Sequence, residues 1–130
     1  MSSSRRLARE QALQALYSIE IGHGDPSAAV SDVVPEKAKS EHRDFVRQLV
    51  MGTLEHKDEL DGVIAPLLER WSVERLPVLD RSILRMGTFE LRYCPETPAA
   101  VVMNEAVELA KKFSTEDSGS YINGVLSKVV

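Results

Sequence analysis

Apolar side chains recur along this chain at three- and four-residue intervals, and the two-residue alternation of a half-buried strand is hard to find. Residues 5–20 place Ala8, Ala12, Ala15, Leu16 and Ile19 on one stripe, which predicts a first helix ended by Gly22 and Gly24. Asp25 followed by Pro26 reads as the cap and first-turn proline of a short second helix, closed by Pro35. The polar stretch 35–41 reads as a mobile connection. A third helix is predicted from about Glu41 to Lys57, with Phe45, Leu49, Val50 and Gly52 inward. The fourth uses Leu60, Val63, Ile64, Leu67, Leu68 and Trp71, and Pro66 should kink it or remove one backbone bond. Pro77 opens the fifth, whose inward set is Leu79, Ile83, Leu84, Met86, Gly87 and Leu91. Pro95 and Pro98 bracket a turn, and Thr97 is placed to cap a sixth helix carrying Val102, Met103, Ala106, Val107 and Ala110. A polar turn, Ser114 to Asp117, precedes a last helix with Tyr121, Ile122, Val125, Leu126 and Val129. The pattern therefore predicts an all-α fold of about seven helices. It forms one domain over residues 1–130, built of two small helical subdomains, 1–57 and 58–130. Short connections favour antiparallel neighbours.

Composition adjusts this picture in two ways. The net charge of −4 argues mildly against a nucleic-acid partner. Yet among the first nineteen residues the charged side chains are Arg5, Arg6, Arg9 and Glu10, so the amino end is basic while the rest is acidic. Cys94 is the only cysteine, which fits a reducing compartment. No signal-peptide h-region follows Arg5 and Arg6, and the longest apolar run, Ala99 to Met103, is far too short to span a bilayer. A cytoplasmic protein without membrane contact is expected.

Catalytic spacing is scarce. His23, His42 and His56 fall on different elements without metal-ligand spacing, so no metal is expected. Gly22-His23-Gly24 follows a helix rather than a strand and reads as a helix stop. Cys94 beside Pro95 reads as a partly buried filler, because no base or oxyanion site accompanies it. Glu105 and Glu108 read as solvated partners of Lys111 and Lys112. Neither an enzyme nor a cofactor is expected.

A different constellation stands out on the first helix. At about 100° per residue, Arg6, Arg9, Leu13 and Tyr17 fall together in the sector beside the apolar stripe, with Arg5 at its edge. Guanidinium groups grip phosphate in bidentate fashion, and aromatic or guanidinium planes stack on unpaired bases. The same sector also suits an ordinary solvated helix face. Arginines at a helix amino end oppose the helix dipole, which makes that plainer reading less comfortable.

The segment Arg5-Arg6-Leu7-Ala8-Arg9-Glu10-Gln11-Ala12-Leu13-Gln14-Ala15-Leu16-Tyr17 resembles the amino-terminal signature of the NusB family. Asp80-Arg81-Ser82-Ile83-Leu84-Arg85 with Glu90-Leu91 resembles its fifth helix, and Asn104 to Lys111 its sixth. Asp117-Ser118 with Tyr121-Ile122-Asn123-Gly124-Val125-Leu126 resembles its last. These segments occur in the family's order and span nearly the whole chain.

The resemblance implies a NusB-like fold of two helical subdomains. It implies binding of boxA, a short single-stranded element of ribosomal-operon RNA, together with NusE, a small-subunit ribosomal protein. The pair would join the RNA polymerase elongation complex and favour antitermination. Family RNA contacts map to Arg5, Arg6, Arg9, Gln14 and Tyr17, and to Asp117, Ser118 and Tyr121. The NusE surface maps to Asp80, with Arg81 and Glu74 as neighbours. Leu7 sits where some relatives have a third consecutive arginine, which lowers the charge of the patch. Some relatives self-associate, so a homodimer belongs among the expected partners. Two positions stay open between readings: Tyr121 as a core ring or a stacking platform, and Gly124 as a site of close helix approach. The competing functional reading is a protein–protein adaptor or homodimer without direct RNA contact.

Overall fold

The computed structural model describes residues 2–69 and 72–130, with side chains from Arg5 onward; the predicted core residue Trp71 lies outside them. The described residues form seven α-helices and no strand. They are α1 (Ser2–Gly22), α2 (Pro26–Val33), α3 (Ser40–Glu55), α4 (Lys57–Ile64), α5 (Val78–Tyr93), α6 (Ala99–Phe113) and α7 (Glu116–Val129). They divide into two compact units, residues 1–55 and 56–130.

In the first unit α1 packs against both α2 and α3. Its core is built from Ala8, Ala12, Leu13, Ala15 and Leu16 of α1 with Val30, Phe45, Val46, Leu49 and Val50. The small alanines let α1 approach its neighbours closely. The helix ends at His23, whose φ of 56° is the one positive value among the described non-glycine residues. Its N–H donates to the Ile19 carbonyl at 2.8 Å. The stop thus falls on the histidine between two glycines rather than on either glycine. Asp25 caps α2 as expected, its carboxylate accepting from the Ala28 N–H at 2.9 Å. The predicted loop at 35–41 contains a hydrogen-bonded turn, Ala38 N–H to Pro35 O at 3.0 Å. Arg43 donates to the carbonyls of Pro35 and Glu36 and ties that turn to α3.

In the second unit α5 is the central helix, packed against α4, α6 and α7. Every residue from Ser82 to Glu90 is buried, so the helix is enclosed on all sides rather than along one stripe. Gly87 lets Leu126 of α7 close in: a methyl group there would stand 3.1 Å from Leu126 Cδ1. Gly124 does not share that role, because a Cβ there would meet nothing within 4 Å, which corrects the close-approach reading. Pro66 ends α4 instead of kinking it. The helix stops at Ile64 and a 3-10 turn, Ala65–Leu67, takes over. The cap of α6 is Pro98, with no side-chain hydrogen bond, so Thr97 does not cap it. Glu105 also departs from expectation, being buried, whereas Glu108 does lie near Lys111, 4.0 Å away.

Candidate nucleic-acid interface

The residues carried over for RNA contact fall on two helices. On α1 of the first unit, Arg5, Arg6, Gln14 and Tyr17 are exposed, Tyr17 to 42%. Arg9 is not: its side chain is only 4% exposed, and Leu13 beside it is buried as well. A single apolar stripe is enough for one packing partner. With α2 and α3 both against it, α1 buries a wider arc and draws in the sector that held Arg9. The Arg9 guanidinium lies 5.4 Å from the centre of the Phe45 ring, and that of Arg5 lies over the same ring at 3.8 Å. A cation over an aromatic face is favoured by the ring quadrupole. Phe45 therefore anchors two of the three arginines, and only Arg5 keeps an exposed side chain while doing so.

Next to this arc is a groove of about 290 Å³ between α1 and the 35–39 turn. Leu7, 49% exposed, forms one wall, and Lys37 and Lys39 belong to its lining. Gln11 and His42 close it with a hydrogen bond of 2.5 Å between Oε1 and Nε2. These lysines escaped prediction, because their only signal is two cations in a polar connection.

At the start of α7, Asp117 is exposed, Ser118 is buried and Tyr121 is half-buried. Thr115 caps the helix, its hydroxyl accepting from the Ser118 N–H at 3.1 Å. Ser118 Oγ donates to Asp80 Oδ2 at 3.0 Å. The hydroxyl expected to face RNA is thus engaged inside the protein. The Tyr121 hydroxyl is buried without a hydrogen-bond partner. Burial first, then the negative charges of Asp80 and Glu69, push its phenol above the ordinary range. The Tyr121 ring nevertheless lines a groove of about 510 Å³ with Ser120, Gly124 and Lys128. Glu69 at its edge sits 3.9 Å from Lys128 Nζ.

Of the residues carried over for the protein partner, Glu74 is exposed and Arg81 half-buried. Arg81 Nη1 donates to the carbonyls of Glu74 at 3.1 Å and Leu76 at 3.4 Å, holding the turn before α5. Asp80 is 6% exposed and faces α7, so its carboxylate is not a surface contact of this chain by itself. A first-turn acidic residue ordinarily faces solvent, so nothing in the pattern announced this.

A surface cluster in the second unit also escaped the sequence. His56 stacks on Tyr93 with ring centres 4.3 Å apart, and Tyr93 lies 5.3 Å from Phe89. The Tyr93 hydroxyl donates to both Glu59 oxygens, at 2.5 and 2.7 Å. That bond is the main reason why the Glu59 carboxyl titrates below its ordinary value and the Tyr93 phenol above its own.

Comparison with known proteins matches residues 6–130 to the model of the NusB family. A transcription antitermination protein NusB from Geobacillus kaustophilus is 47% identical over 125 residues, covering 96% of this chain and 94% of the relative. Its counterpart from Symbiobacterium thermophilum is 43% identical over 136 residues, covering 98% and 89%. Among solved structures, T. maritima NusB superposes with a TM-score of 0.91 at 32% identity, covering 96% of this chain and 89% of that one. The complex of antitermination factors NusB and NusE with double-stranded RNA gives a TM-score of 0.89 at 30% identity, covering 99% and 97%.

Proposed function

The chain belongs to the NusB family, and on that premise we propose that it is a transcription antitermination factor that binds boxA RNA of ribosomal operons together with NusE. The observation that carries this reading is the exposed arc of α1. Arg6, Gln14 and Tyr17 stand in solvent over about 17 Å of helix, at 1.5 Å per residue. Arg5 is held at the same end over Phe45. The guanidinium groups contact phosphates and fix the register of the strand, while Tyr17 offers a face to an unpaired base. Asp117, exposed at the start of α7, accepts hydrogen bonds from base amino groups. Arg9 serves this surface from beneath, sharing the Phe45 ring with Arg5. On α7, Ser118 supports Asp117 and Tyr121 through its internal hydrogen bonds.

The solved complex that joins NusB and NusE with RNA, closely similar in fold, supports both partners. Glu74 and the turn that Arg81 holds are the exposed parts of the NusE surface, with Asp80 behind them. The protein then acts in the cytoplasm, on the RNA polymerase elongation complex, as a regulatory factor rather than an enzyme. No helix among the described residues is long and apolar enough to cross a membrane.

A second reading, an adaptor or homodimer without direct RNA contact, draws on Leu7 and Ile21, which are 49% and 56% exposed on α1. A gel-shift titration with boxA RNA and a scrambled control, with and without NusE, separates the two. Selective retention of boxA RNA that NusE tightens is expected. Equal retention of both RNAs, or of neither, in the presence of NusE overturns the RNA reading and leaves the adaptor.

A further inference from the structure

Asp80 occupies an unusual position, because one buried carboxylate stands at the amino ends of two helices. It is the third residue of α5, and the group it bonds, Ser118, is the third residue of α7. Anions are favoured at helix amino ends, where backbone N–H groups leave a partial positive charge. Both side chains are buried, Asp80 to 6% exposure and Ser118 to 8%.

The hydrogen bonds around them have a fixed direction. Ser118 has one hydroxyl proton and a carboxylate only accepts, so that proton goes to Asp80 Oδ2. The Ser118 oxygen is then left to accept from the hydroxyls of Thr115, at 2.9 Å, and Ser114, at 3.1 Å. With its own proton given to Ser118, Thr115 keeps a lone pair for the Ser118 N–H and caps the helix. The charge on Asp80 thus orders the whole turn from Ser114 to Ser118.

We infer that Asp80 is a positioning residue for RNA recognition, acting through Ser118 to hold the first turn of α7 and so to aim Asp117 and Tyr121. The inference rests on the RNA reading of α7 given above. Asp117 immediately precedes Ser118, and Tyr121 follows one turn later on the same helix. The second oxygen of Asp80, Oδ1, is buried without a partner, as is the Tyr121 hydroxyl. An acceptor and a donor of this kind lie close enough for the carboxylate to raise the phenol's pKa. Asp80 therefore bonds the residue next to Asp117 and lies in electrostatic reach of Tyr121.

The test measures RNA affinity of the full chain by fluorescence anisotropy, well below its unfolding temperature. The proteins are the parent, Asp80→Asn, Ser118→Ala and the double variant; the RNAs are boxA and a base-substituted strand of equal length. Each single variant should weaken boxA binding about five- to tenfold, and the double variant no further, because the two side chains act as one unit. Binding of the substituted strand and the salt dependence should stay unchanged, since the phosphate contacts lie on α1. A merely structural role would lower the unfolding midpoint and leave the ratio of the two affinities alone. That result, additive losses, or loss of NusE binding with unchanged RNA affinity would each overturn the inference. Arg6→Ala is the control: it should weaken both RNAs equally and flatten the salt dependence. If it does neither, the RNA reading fails and the inference falls with it.

Discussion

Arg85 of α5 and Asp61 of α4 form a two-pronged ion pair, Nε to Oδ1 at 2.7 Å and Nη2 to Oδ2 at 2.8 Å. The Arg85 side chain is 9% exposed and that of Asp61 24%, so the pair lies at the edge of the second unit's core. It fixes α4 against the helix around which that unit is built. Removing Asp61 takes its two-pronged partner from a mostly buried guanidinium, which costs more than the pair itself contributes. Asp61→Ala should therefore destabilise the protein by about 3 kcal/mol in urea denaturation. The paired replacement Asp61→Leu with Arg85→Met should recover most of that loss, because it removes both members of the pair together. A double variant as unstable as Asp61→Ala would show that packing, not the broken ion pair, sets the cost.

Two glycines in helices should respond to alanine with opposite signs. At Gly87 the new methyl group would stand 3.1 Å from Leu126 Cδ1 and 3.8 Å from the Ala106 Cβ. Leu126 is fully buried and has little room to give. Overpacking there costs roughly 1–3 kcal/mol, against about 1 kcal/mol gained from helix propensity, so a net loss of about 1 kcal/mol is expected. Gly124 faces open space, and its alanine variant should gain about 0.5–1 kcal/mol. Thermal unfolding of both variants checks the pair; a loss at Gly124 would restore the close-packing role that the sequence suggested.

The Glu59–Tyr93 hydrogen bond has consequences at both ends of the pH scale. Tyr93 holds the Glu59 carboxyl below its ordinary value of 4.5, so the bond's stabilisation is present above that pH and is lost as pH falls through the lowered pKa. Glu59 holds the Tyr93 phenol above its ordinary value of 10.0, so the same stabilisation is present below that pH and fades as pH rises through the raised one. Both groups lie in solvent, so the effect is small. Tyr93→Phe should lower the neutral plateau slightly and flatten both limbs of the stability–pH profile, so that variant and parent converge at acid and alkaline pH. An acid limb as steep as the parent's would place the linkage on other carboxylates.

Much of the helical framework was legible because its signals are local. Asp25-Pro26 starts α2, and the Ala8–Ala12–Ala15 spacing marks the inner face of α1, whatever packs there. What could not be read depends on how many neighbours a helix acquires. Residues Ser82 to Glu90 mix apolar with polar side chains, yet all are buried because three helices surround α5. Pro66 was correctly a disruption, but whether it kinks or ends a helix depends on the 3-10 turn that follows. For the RNA surface the residue types were legible and their exposure was not. Arg9, Ser118 and Asp80 all turned inward, each toward a partner distant in sequence or on another helix.

Arg9 and Arg6 of α1 should therefore separate by assay. Arg9 is buried against Phe45, so Arg9→Ala removes a desolvated cation–ring contact together with the packing of its aliphatic stem. A loss of about 2 kcal/mol of stability is expected, with weaker RNA binding as a consequence. Arg6 stands in solvent, and Arg6→Ala should change stability by less than about 0.5 kcal/mol. Its effect should appear in RNA binding, where each lost phosphate contact on a single strand lowers the slope of log affinity against log salt by about 0.7. Tyr17→Ala should cost roughly 1–3 kcal/mol of binding if its exposed ring stacks on a base. Stability and salt-dependent affinity measured side by side on the three variants decide the matter. If Arg9→Ala were as stable as the parent yet lost the same slope as Arg6→Ala, Arg9 would be a phosphate ligand in its own right and its seat on Phe45 incidental.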